Sequence, residues 1–71
     1  MSKCGRLFYN VNTDRMDICF EDGSTAGGLH CGDCFLALID GDWVRTRIEM
    51  SDHWYLVGAK DQELPGLIVK M

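Results

Sequence analysis

At 71 residues the chain has room for one domain, and a domain this size buries only about 60% of the surface its unfolded form exposes. A hydrophobic fraction of 46% beside 25% charged residues excludes a disordered chain. The formal net charge of −4, with seven scattered Lys and Arg, argues against nucleic-acid binding, and no apolar run approaches the ~18 residues of a membrane span.

Met1-Ser2-Lys3-Cys4-Gly5-Arg6 lacks the apolar core of a signal peptide. The expected compartment is therefore the cytoplasm, where the four cysteines would persist as thiols and disulfide stapling is disfavoured.

Turn chemistry recurs about every eight to twelve residues, the spacing of an antiparallel β-domain. Arg6-Leu7-Phe8-Tyr9 reads as a first strand within Gly5 to Asn10. Asn10 to Asp14 reads as a turn, because Asn and Asp tolerate left-handed backbone and bond their own main chain. Met16 to Phe20 gives a second strand, stopped at Asp22-Gly23, and Ser24 to Gly28 a flexible loop. Cys34 to Ile39 has apolar positions that also suit a short helix capped by Asp33. Its length and the flanking Gly32-Asp33 and Asp40-Gly41 favour a buried strand, and Asp40-Gly41 is a strong hairpin signal.

Trp43 to Met50 alternates. Val44, Thr46, Ile48 and Met50 take one face, and Trp43, Arg45, Arg47 and Glu49 the other. The turn at Ser51-Asp52 leads into Trp54-Tyr55-Leu56-Val57. A three-residue loop puts Trp54 and Leu56 in register with the apolar face, and a two-residue loop puts Tyr55 and Val57 there; the first is preferred. After a loop at Lys60 to Glu63, Leu64-Pro65-Gly66 leads to a last strand, Leu67-Ile68-Val69. One mostly-β domain over residues 1–71 is expected, a small SH3-like barrel of five to six antiparallel strands or a tightly rolled sheet, since closing the sheet protects edges from aggregation.

Two resemblances bear on this. Leu29-His30-Cys31-Gly32-Asp33-Cys34-Phe35-Leu36-Ala37-Leu38, followed by Asp42-Trp43-Val44-Arg45-Thr46-Arg47, is similar to SH3 domains over about half the chain. The Tyr-rich first motif and acidic loop of peptide-binding SH3 domains are missing, so the likeness implies the fold and not proline-rich peptide binding. Most of the chain also resembles an uncharacterised family of short Gram-positive bacterial proteins, often carried on mobile elements. Gly5-Arg6-Leu7, Leu29 to Asp33, Asp40 to Glu49 and Trp54 to Gly58 carry that likeness, which implies a bacterial plasmid, transposon or phage setting and transfers no activity.

Cys31-Gly32-Asp33-Cys34, preceded by His30, has the spacing of half a zinc site. A structural site wants four ligands, and neither Cys4, Cys19 nor His53 is spaced to complete it, so Cys31, Cys34 and His30 are weak metal candidates. The favoured reading is a Gly32-Asp33 turn with cysteines filling space, Cys19 among them as a small buried thiol. No cofactor is expected.

Trp43, Arg45 and Arg47 make the sharper candidate, an aromatic flanked by guanidiniums that can stack on a ring and pair with phosphate or carboxylate. Phe8, Tyr9, Phe20, Phe35, Trp54 and Tyr55 are mostly core candidates, with Tyr9 or Tyr55 available for display. No phosphate loop, serine-nucleophile motif or His-Glu metal helix occurs, so an enzyme is not expected. The expected function is a non-enzymatic binding module that docks on a cytosolic protein, with Trp43, Arg45, Arg47, Tyr9 and Tyr55 as its surface. The alternative is a homo-oligomer that binds or sequesters a small nucleotide signal at subunit interfaces, as in phage counter-defence.

Overall fold

The computed structural model describes residues 3–71, so Met1 and Ser2, part of the leader reading above, lie outside it. Six strands run β1 Cys4–Asn10, β2 Arg15–Phe20, β3 Cys34–Ile39, β4 Asp42–Met50, β5 Trp54–Leu56 and β6 Ile68–Lys70. No helix occurs among the described residues, and Cys34–Ile39 is a strand. Every pairing is antiparallel, in the order β2-β1-β6-β3-β4-β5.

Local chemistry sets the hairpins. Asp40 and Gly41 have φ of 52° and 85°, the two left-handed residues of a type I′ turn, and Ile39 pairs with Asp42 across them. Asp14, at φ 55°, ends the loop between β1 and β2, where the Asn10 carboxamide oxygen accepts the Asn12 N–H at 3.0 Å. The β4–β5 loop has three residues. Met50 pairs with Trp54 and Ile48 with Leu56, as the apolar pattern requires.

The last strand joins the hairpins. β6 pairs with β1 on one side, Gly5 opposite Val69, and with β3 on the other, Ala37 opposite Val69. Leu7 extends the first seam by accepting the Gly66 N–H and donating to the Leu67 carbonyl.

One face of the sheet carries the core. Leu7, Met16, Ile18, Phe35, Ala37, Ile48, Leu56 and Val69 are buried on it, and Leu29, Ala59 and Leu64 from the connections fill it. The alternation expected for β4 holds, but only Thr46 and Ile48 are buried, while Val44 and Met50 lie exposed at the ends of the strand.

The sheet rolls without closing into a barrel. Its edge strands β2 and β5 do not pair; instead the free side of β2 is covered by residues 24–29, with Ala26 and Leu29 donating to the Ile18 and Met16 carbonyls. The chain then makes a turn from His30 to Asp33, spanning less than about 7 Å. It arrives in line with β3, where Gly32 and Asp33 exchange backbone hydrogen bonds with Ile48. In a flat sheet those two places would be four strand spacings apart, roughly 19 Å. Only a strongly rolled sheet lets so short a turn join them. The small fold of antiparallel strands expected from the sequence is therefore present, as a rolled six-stranded sheet that is open where a barrel would close, with its β2 edge sealed by a connection.

Candidate functional site

The outer face is defined by register. Arg6 lies opposite both Cys19 and Ile68, Leu36 opposite both Lys70 and Arg45, Leu38 opposite Trp43, and Cys34 opposite Arg47. Half-buried Leu36, Leu38 and Ile68 therefore form an apolar centre beside exposed Trp43. Arg6, Arg45, Arg47 and Lys70 surround it.

Charge and aromatic groups are in contact here. The Lys70 ammonium sits 4.3 Å from the centroid of the Trp43 ring, a cation–π approach. Arg47 Nε donates to Glu49 Oε2 at 2.9 Å, so one carboxylate partly neutralises that corner. Arg45 forms no ion pair among the described residues. Tyr55 lies opposite Glu49, and the Lys60 ammonium is 5.2 Å from its ring.

Four of the five proposed surface residues, Trp43, Arg45, Arg47 and Tyr55, thus share this face. Tyr9 does not join them. It pairs with Met16 on the opposite face at the far end of β1, 44% exposed. Its phenol donates to the Asp14 carboxylate, and that bond holds the Tyr9 pKa above its ordinary value. Lys70, Arg6 and Ile68 complete the face and were not singled out from the sequence. Alternation within Leu67-Ile68-Val69-Lys70 groups Ile68 with Lys70, but nothing local says that β6 sits next to β3.

The Cys-x-x-Cys segment is a turn. Gly32 adopts φ 92°, and the Asp33 carboxylate accepts the His30 N–H at 2.8 Å. Among the described residues no group of three or more His, Cys, Asp or Glu side chains is placed to hold a metal ion. The cysteines are free thiols, and Cys19, Cys31 and Cys34 are exposed. The space-filling role expected of Cys19 is corrected: Met16, Ile18 and Phe20 take the inner positions of β2, which turns Cys19 outward.

Recesses on the outer face are shallow. One of about 300 Å³ lies between Cys4, Arg6, Cys19 and Ile68, and another of about 190 Å³ between Leu36, Arg45 and Lys70. At the sheet margin the N–H and hydroxyl of Ser24, with a contribution from Lys3, hold the Asp22 carboxyl down to about 2.

Comparison with known proteins gives a family without an activity. No curated protein matches the chain. The chain is similar to a structural-genomics target from Ruminococcus gnavus, known from its crystal structure. The two are 51% identical, with a TM-score of 0.88, over 97% of this chain and 100% of that one. The family described as Domain of unknown function (DUF5348) matches residues 5–71, and the chain belongs to it.

Proposed function

For this member of the DUF5348 family we propose a non-enzymatic binding module that docks, through the outer face of its sheet, on an acidic surface of a larger cytosolic protein. One observation carries the reading. Four of the seven basic residues, Arg6, Arg45, Arg47 and Lys70, share one face with Trp43 although the chain as a whole is acidic. A large aromatic over half-buried aliphatics, rimmed by guanidiniums, has the make-up of a protein-binding hot spot.

The shallow, open shape of the recesses favours a macromolecule over a small nucleotide, which is usually held in an enclosing pocket. The chain's net charge of −4 disfavours the long phosphate track of a nucleic acid. The Ruminococcus gnavus relative supports a bacterial setting.

The test is affinity capture from a lysate of the source organism with three baits: the natural chain, Arg45→Ala with Arg47→Ala, and Val11→Ser in the exposed β1–β2 loop as a control away from the face. Protein partners retained by the first and third and lost from the second are expected, with retention falling as salt rises. An identical set on all three baits would reject the outer face.

A further inference from the structure

The first half of β4 has a partner on one side only. β3 pairs with it from Asp42 to Arg47, whereas β5 covers only Ile48 to Met50 on the other side. The chain after β5 reaches one residue further, where the Arg47 carbonyl accepts the Val57 N–H, and then turns away through Gly58 at φ 80°. Asp42, Trp43, Val44 and Arg45 are all exposed, with Trp43 and Val44 on opposite faces, as happens at a sheet edge. Ile48 bonds Gly32 and Asp33 on the β3 side, so alternation turns the N–H and C=O of Trp43 and Arg45 to the uncovered side. They have no backbone partner there among the described residues.

This edge has a definite end, and the end is positive. Val57 fills the place beside Arg47, so a strand laid along Asp42 to Arg45 must stop at Arg45 or swing out of the sheet. At that point a recess of about 230 Å³ is lined by Cys34, Arg45, Thr46, Arg47 and Val57. Arg45 forms no ion pair among the described residues, and Arg47 uses Nε for Glu49. The Thr46 hydroxyl is taken by the Val57 carbonyl at 2.9 Å, which leaves the two guanidiniums to meet whatever arrives.

We propose that the edge takes the last residues of a partner protein as an added parallel strand, with the terminal carboxylate in this recess. Direction follows from charge. An antiparallel strand stopping here brings its N-terminal ammonium to the guanidiniums, whereas a parallel strand brings its C-terminal carboxylate. Register follows from the free backbone groups. With the last residue opposite Val44, its N–H donates to the Trp43 carbonyl and its carboxylate accepts the Arg45 N–H. The residue two before it accepts the Trp43 N–H. The same register sets the last side chain beside exposed Val44 on the core side, and the one before it beside Trp43 on the outer face. The ligand is therefore a chain end with an apolar last residue. This assignment rests on the outer face being the docking surface, and it names the part of the partner that the face holds.

The probes are two pools of acetylated synthetic heptapeptides randomised at their last four positions, one ending in a free carboxylate and the other in an amide. Each is passed over the immobilised natural chain, and the retained peptides are read by mass spectrometry. The free-acid pool should be retained at least tenfold better, with apolar residues enriched at the last position. Arg45→Ala with Arg47→Ala and, separately, Val44→Glu should each weaken binding of the best-retained peptide at least tenfold. When that peptide saturates the natural chain, the Arg45 amide proton should exchange at least tenfold more slowly. Equal retention of both pools, lost in the double variant, overturns the chain-end assignment and leaves the docking face standing. Retention of neither pool, binding untouched by the double variant, or an Arg45 amide that exchanges as before would each overturn the assignment too, and the lysate capture decides the docking face independently.

Discussion

Val69 and Val44 are the same residue on the same face, in one cross-strand row, with only Ala37 between them. Val69 is 0% exposed and Val44 is 38% exposed. The difference lies in what flanks and covers each. Val69 belongs to the shortest kind of strand in the sheet, three residues, yet has a strand on both sides and the core above it. Val44 belongs to the longest, nine residues, and lies beyond the reach of β5 and of the connections that fill the interior. Strand length therefore does not measure structural importance here. β6 holds the two hairpins together, and the first half of β4 is left free to make contacts with other molecules.

One substitution made twice breaks this comparison open. Val69→Glu buries a carboxylate with no partner among apolar side chains and costs more than about 4 kcal/mol, enough to unfold a domain of this size. Val44→Glu at dilute protein meets water and costs at most about 1 kcal/mol, from lost β-propensity. Urea denaturation of both variants decides it. Equal losses would mean that the two ends of the row are equally buried in solution.

The same contrast explains how far the sequence could be read. The hairpins were legible because their information is local: Asp40-Gly41 names its turn, and alternation from Trp43 to Met50 separates the faces, while the register with Trp54 and Leu56 hung on the length of the loop at residues 51–53, for which the preferred three residues are the ones present. Trp43, Arg45 and Arg47 were visible for the same reason. The central place of β6 was not, because pairing between residues more than 30 positions apart leaves no trace in either segment alone. That one hidden fact also concealed Lys70, which reaches Trp43 only because β6 lies against β3. The means of edge protection was not legible either: on β2 it comes from the loop from Ser24 to Leu29 and not from a closing strand pair, because those backbone bonds join residues with no pattern of their own.

Gly5 sharpens the picture from the other end of the row, where it sits between Phe20 and Val69. A Cβ there would lie 2.6 Å from the Cys19 carbonyl oxygen and 2.6 Å from Ile18 Cγ2. The carbonyl is held in the backbone of β2 and cannot yield as a side-chain tip would. Gly5→Ala should destabilise by about 1–3 kcal/mol, despite the entropy gained by removing a glycine from a strand. A thermal melt at or above that of the natural chain would show that β1 and β2 can separate here without loss, and that the row is less tightly drawn around Val69.

The smallest expected effect tests whether the two regions communicate. Lys70 is on β6 and Trp43 on the free half of β4, and their contact crosses β3 on the outer face. Lys70→Met keeps most of the aliphatic stem and removes the charge, so its cost isolates the cation–π contact at about 0.5–1 kcal/mol. Because Met also alters packing, the decisive quantity is the coupling in a double-mutant cycle with Trp43→Leu, measured by denaturation at low salt. A coupling of that size means the indole is held by the central strand before any partner arrives, so less side-chain freedom is lost on docking. Zero coupling means Trp43 is positioned by β4 alone, and the exposed half of that strand then works independently of the strand that binds the sheet together.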